Sequence, residues 1–334
     1  PQTFNVRVDT RGTDLWVGGT SCDGCPNSVS LYNLEDSSTS DVSAIATEIT
    51  QYGSATTISG NLANDIAHMG EISLPKAFFL SARQITTGLL TVPMSGEMGL
   101  GFSAIATATD TPFWHILLEN GQIPTYEMAF WLARIPDSKN SQLDGKVGGK
   151  LTLGGVDSQL FSGEIEFRNL TSGDSGLPPS YWSLQLAAIT VQGETVTVGS
   201  IVPPIAVFDV GFMRIGGPKA DVAAIWKVVP GAALLNNGKG VYQFPCKTNV
   251  TITVSFGGKK WAIDPFDINL GPVTKGSSQC VGTIVEWNGY ESTNPPGPNW
   301  IFGMTFLKNV YTVFQQNPPS IGLAQLKVAA GRPG

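Results

Sequence analysis

Histidine is the scarcest titratable residue in this chain, with two in 334 positions, His68 and His115. They lie far apart in sequence, which argues against a histidine general base or a histidine-rich metal site, and each reads as a packed or surface side chain. Charge is sparse as well: Asp, Glu, Lys and Arg make up 14% of residues, with a net charge of −6. No Lys/Arg stripe is present, which excludes a nucleic-acid surface. No apolar run approaches the roughly twenty residues of a membrane span. No signal-peptide pattern opens the chain, so the expectation is a mature or trimmed form. Cysteine is limited to Cys22, Cys25, Cys246 and Cys280. One Cys-x-x-Cys followed by a widely spaced pair, without a nearby His, is a poor zinc set, and no thioredoxin-like pattern surrounds it.

What is present is glycine, serine, threonine and short apolar runs broken by turns, the composition of a strand-rich globular protein. The length suffices for two domains or one two-lobed unit. Phe4, Val6 and Val8 alternate toward one face and lead into Asp9, a tight Thr10-Arg11-Gly12-Thr13 turn and a second apolar run. An acid at the exit of a buried strand is costly unless something pairs with it or uses it. The same device returns at Ile205-Ala206-Val207-Phe208-Asp209-Val210-Gly211, and each copy is followed at a similar distance by an apolar-Gly element. Met98-Gly99-Leu100-Gly101-Phe102 follows the first and Ile301-Phe302-Gly303 the second. Such a repeat suggests two lobes related by a pseudo-two-fold axis. Asp9 and Asp209 then become candidates for a facing pair, and two carboxylates that close share a proton.

With these residues in view, the chain resembles the pepsin-like aspartic peptidases, secreted fungal members among them. Asp9-Thr10-x-x-Thr13-Asp14-Leu15-Trp16-Val17 is similar to the family's first Asp-Thr-Gly signature, and Tyr52-Gly53-Ser54 to the tip of its flap. Gly149 to Asp157, Trp300 to Phe314 and Ile321 to Ala324 resemble further family strands, in the family's order. The resemblance implies a mostly β, bilobal fold with a cleft and a few short helices, in lobes of residues 1–175 and 176–334. It also implies disulfides Cys22–Cys25 and Cys246–Cys280. With the sequons Asn169-Leu170-Thr171 and Asn249-Val250-Thr251, these point to a secreted, extracellular or vacuolar glycoprotein. Family members carry an additional strand ahead of the position where Pro1 stands. A flap hairpin is expected from Asp41 to Ile66. One or two short helices are expected within Pro112 to Arg134, and another over Ala220 to Val229.

The implied chemistry is peptide hydrolysis by paired carboxylates. One ionised acid takes a proton from water while the other polarises the carbonyl, with no metal or cofactor. Asp9 and Asp209 are the expected catalytic pair, and Thr10, Arg11, Tyr52, Gly53, Ser54, Gly211 and Phe212 the expected substrate-binding residues. Several supporting positions depart from the family. Arg11 stands in place of Gly, Gly12 and Phe212 in place of hydroxyl residues, Val210 in place of Thr, Met304 and Ser95 in place of acids. Glu97 interrupts the first apolar-apolar-Gly element. A guanidinium beside the pair would favour ionisation of both acids and work against the shared proton. Three functions remain open. One is an acid endopeptidase with a weakened site, acting as a monomer on peptide or protein substrates. The others are a non-catalytic binding or inhibitory protein, and a pair turned to acid/base chemistry on a small-molecule ligand held in the cleft.

Overall fold

The computed structural model describes residues 1–51, 56–108, 111–134, 148–171, 179–199, 203–235, 239–287 and 297–327. The chain divides into two compact units, Pro1–Tyr126 with Pro178–Tyr181, and Glu127–Leu177 with Trp182–Gly334.

The first unit is built on β1 (Val6–Asp9), β2 (Leu15–Asp23), β3 (Asp41–Gln51), β4 (Thr56–Met69), β5 (Ile72–Ile85) and β6 (Gly96–Gly99). They form one sheet in the order β1-β6-β2-β5-β4-β3, followed by the helix α1 (Phe113–Glu119). Side chains alternate across a strand, and β2 shows both outcomes. Trp16 packs with Ile49, Ile58, Leu80 and Ile85 on one side, while Val17 joins Tyr32, Ala63 and Phe79 on the other. Phe4 and Val6 pack against that second cluster, as their alternation suggested. The long β3–β4 pair is the hairpin expected between Asp41 and Ile66, closing in register at Gln51 and Thr56.

The second unit opens with β7 (Glu127–Leu132), β8 (Gly149–Leu153) and β9 (Phe161–Asn169). Next come β10 (Ser183–Gln185), β11 (Ala188–Val191), β12 (Glu194–Val196), β13 (Ile205–Phe208), β14 (Ile215–Gly217) and helix α2 (Lys219–Lys227). The strands β15 (Ala233–Leu234), β16 (Val241–Pro245), β17 (Ile252–Ser255) and β18 (Lys260–Ile263) precede the single turn α3 (Pro265–Ile268) and β19 (Asn269–Pro272). The unit closes with β20 (Gln279–Glu286), β21 (Trp300–Phe302), α4 (Met304–Leu307), β22 (Val310–Gln316) and β23 (Pro319–Leu326). Its principal sheet runs β10-β13-β21-β14-β20-β16-β15, with β19 beside β20; smaller sheets run β12-β11-β17-β18 and β8-β7-β22-β23-β9.

One expectation is revised. Only the first part of Pro112 to Arg134 is helical, as α1; Glu127–Leu132 is strand. Met128, Ala129 and Phe130 are buried between β8 and β22, and a short apolar run does not distinguish a buried strand from a buried helix. By contact, Glu127–Leu177 belongs with the second unit, because β7, β8 and β9 complete a sheet with β22 and β23. The helix expected over Ala220 to Val229 is α2.

Candidate active site

Each acid stands at the end of a short strand, and the two strands occupy the same place in their sheets. In the first unit β6 lies between β1 and β2, parallel to β1 and antiparallel to β2, with β5 next, parallel to β2. In the second unit β21 lies between β13 and β14, parallel to the first and antiparallel to the second, with β20 parallel to β14. The chain after each acid must therefore cross the end of the inserted strand to reach the far side. Glycine at the crossing makes this possible. A Cβ on Gly99 would come within 2.3 Å of the Thr13 carbonyl carbon, and one on Gly303 within 2.0 Å of the Phe212 oxygen. Matching bonds close both crossings: the Gly99 amide donates to Asp14 O at 3.0 Å and the Gly303 amide to Arg214 O at 3.0 Å.

The carboxylates are held alike. Asp9 is 1% exposed, and its Oδ1 accepts the backbone N–H groups of Arg11 at 2.7 Å and Gly12 at 2.9 Å. Asp209 is also 1% exposed, and its Oδ1 accepts the Gly211 N–H at 2.7 Å. Arg11 and Gly211 are equivalent, each two residues past its acid, and each supplies the same main-chain donor. Among the described residues the non-glycine position with positive φ is Gln192, at 51°. Arg11 thus keeps the donor without left-handed backbone strain, which would favour glycine. Main-chain bonds fix the surrounding backbone: the Leu100 amide donates to Asp9 O at 2.8 Å, and the Asp209 amide to Phe302 O at 3.1 Å.

The remaining predicted residues fall into these turns. Thr10 is buried, Arg11, Gly211 and Phe212 are half-buried, and the neighbouring Met213 is exposed. Tyr52, Gly53 and Ser54 lie outside the described residues. Under Asp209 sits an aromatic base, with Phe208, Phe256, Phe302 and Phe306 in mutual ring contact at 5.0–6.2 Å. Burying these rings contributes about 2 kcal/mol each and stiffens the strand end.

Several supporting contacts were not foreseen. Asp14 accepts the Ala108 N–H at 2.8 Å and the Thr107 hydroxyl at 2.9 Å, pinning the segment after β6. Thr13 donates to Phe102 O at 3.1 Å, and Thr305 to Met213 O at 3.0 Å. Glu97, which looked like a disturbance, is fully buried and accepts from Arg7 Nε at 2.9 Å, its register partner on β1. The corresponding ladder pair in the second unit is apolar, Val207 opposite Ile301. The matching register of the two motifs is the signal that pairs Arg7 with Glu97.

Cys22–Cys25 and Cys246–Cys280 are both disulfide-bonded. His68 is exposed, whereas His115 on α1 is buried against Trp114, ring centroids 4.3 Å apart, and near Tyr126. Burial pushes the His115 pKa down to about 4. Among the described residues no group of three or more His, Cys, Asp or Glu could hold a metal ion, and no helix is long and apolar enough to cross a membrane.

The family model for eukaryotic aspartyl protease matches residues 1–326. The chain belongs to that family. Its mostly β, pepsin-like architecture is the one the resemblance implied, and an aspartic-type endopeptidase fits the family. Among similar proteins, Major aspartyl peptidase 1 of Cryptococcus neoformans var. grubii is 33% identical over 99% of this chain and 68% of that protein. An aspartic protease of Phaffia rhodozyma is 27% identical over 97% of this chain and 74% of its own length. Human cathepsin D is 26% identical over 97% of this chain and 78% of its own length.

Proposed function

We propose that this aspartyl protease family member is an acid endopeptidase in which Asp9 and Asp209 act as one pair on one water. The ionised carboxylate removes a proton from water as its oxygen attacks the peptide carbonyl. The protonated carboxyl donates to the carbonyl oxygen, and proton return to the nitrogen then expels the amine. The observation that carries this reading is the repeat itself. Both acids close a strand at the same place in a three-strand motif, and each offers Oδ1 to the N–H two residues on. Such main-chain donors hold an acid in a fixed orientation and do not depend on side-chain identity.

Substrates are peptides or proteins, with Arg11, Gly211, Phe212 and the flap residues Tyr52, Gly53 and Ser54 at the binding surface and the buried Thr10 supporting the turn after Asp9. The functional halves are the repeat halves, 1–175 and 176–334. Arg11, Gly12 and Val210 weaken the supporting shell, each lost buried hydrogen bond costing roughly 1 kcal/mol of positioning. Two disulfides favour a secreted, extracellular or vacuolar monomer. The test is cleavage of a denatured protein between pH 2 and 7, with and without a pepstatin-type inhibitor. Cleavage that the inhibitor abolishes supports the proposal. Absence of cleavage with inhibitor still bound moves the assignment to a non-catalytic binding or inhibitory protein. Turnover of small acidic compounds instead would favour the repurposed pair.

A further inference from the structure

The sequon Asn169-Leu170-Thr171 lies where β9 leaves its sheet, and the fold sorts its side chains. Leu170 is buried, its N–H donating to Pro319 O at 3.0 Å, and Thr171 is fixed by its own N–H to Ser183 O at 2.9 Å. Asn169 faces solvent. Two residues earlier on the same strand stands Phe167, 41% exposed. Residues i and i+2 of a strand share a face, and the ladder is regular here, with Phe167 opposite Gly322 and Asn169 opposite Ser320. Gly322 leaves room for the phenyl ring, since a Cβ there would be 2.8 Å from Phe167 Cε1. A partly exposed aromatic side chain thus shares the strand face of the acceptor Asn, two residues away. The second sequon, Asn249-Val250-Thr251, also exposes its Asn and buries its central residue, but it carries Lys247 two positions earlier.

We propose that Asn169 carries an N-linked glycan whose first N-acetylglucosamine packs on the Phe167 ring. The apolar C–H face of a pyranose ring complements the electron-rich face of an aromatic ring, and Phe167 keeps that face preformed. The modification is a group transfer from a polyprenyl-diphosphate-linked oligosaccharide. Asn169 Nδ2 attacks the anomeric carbon, the C1–O bond to diphosphate breaks, a C1–N bond forms, and the amide gives up one proton. Asn249 is the internal control, an accessible acceptor without a ring platform. The inference rests on the lumenal passage proposed above, so the experiment imposes that passage.

The full chain is secreted from a eukaryotic host behind a supplied signal peptide, and its glycopeptides are weighed. Wild type is expected to carry sugar at Asn169, and Asn169→Gln and Thr171→Ala to lose that sugar alone. Asn249→Gln protein is then trimmed to one N-acetylglucosamine or stripped completely. The single sugar is expected to raise Tm by about 2–3 °C, and in Phe167→Ala this difference should vanish. Because each comparison is made within one variant, any destabilisation by Phe167→Ala itself cancels. A bare Asn169 in secreted protein, or an equal sugar effect without Phe167, overturns the inference and leaves the proposed native location untouched.

Discussion

At the scale of single residues, the account turns on Arg11. The family signature has glycine at this position, yet the group that holds Asp9 is the Arg11 backbone N–H, which any residue but proline supplies. Arg11→Gly should therefore leave folding stability within about 1 kcal/mol, the usual cost of glycine's extra freedom. It should raise kcat/KM for peptide cleavage about tenfold, a gain of roughly 1.4 kcal/mol in transition-state stabilisation. Denaturant unfolding and steady-state kinetics on the same preparation check both halves. Unchanged kinetics would show that the guanidinium never bore on the reaction. The two Asp motifs and their altered neighbours were visible in the sequence. That a main-chain donor survives the substitution was not visible there, because hydrogen bonds from the backbone carry no side-chain signature.

At the scale of elements, the three-strand motif makes the sharpest demands. Gly99 ends the inserted strand β6 and Gly303 directly follows β21, where the chain crosses after each acid, and a Cβ at either meets backbone that cannot step aside. Gly99→Ala or Gly303→Ala should cost about 1–3 kcal/mol through overpacking, with a larger proportional loss of activity than of folded protein. Circular dichroism melts beside activity per folded molecule separate the two effects. The Arg7–Glu97 pair invites a different test. Glu97 is fully buried while the Arg7 side chain is 30% exposed; removing the cation beside a buried acid is destabilising, less so where solvent reaches the pair, whereas replacing both with packed apolar residues is often neutral. Arg7→Ala should thus be destabilising, and the double replacement Arg7→Val with Glu97→Ile, copying the second unit's pair, should recover most of the loss. Additive losses in the double variant would contradict the assignment. Strands β1 and β13 were legible from alternation and from the repeat. β7 was not, since three buried apolar residues in a row fit a helix and a strand equally, and only pairing with β8 and β22 decides.

For the molecule as a whole, disulfide pairing and the order of the principal elements were legible once the resemblance was in hand. The contact boundary at Tyr126–Glu127 was not, because it depends on a sheet completed by strands far apart in sequence. Proton linkage at one buried group contributes to how this protein responds to acid. His115 has a folded pKa of about 4 against an ordinary 6.5. Between those values the unfolded chain binds a proton that the folded chain excludes, so stability declines as pH falls through this window and levels off below it. The site alone should remove about 3 kcal/mol. His115→Phe should flatten that slope between pH 6.5 and 4, as read by unfolding free energies at four or five pH values. An identical slope in the variant would assign the acid sensitivity elsewhere.

The central claim is that an acid from each half of the repeat is required for one reaction. The most direct measurement is cleavage of a denatured protein at its optimal acid pH by wild type, Asp9→Asn and Asp209→Asn, each verified as folded. Loss of at least about a thousandfold in kcat from either substitution, and no further loss when both are combined, is the predicted result. Retention of activity in either single variant, or losses that multiply in the double, would contradict it.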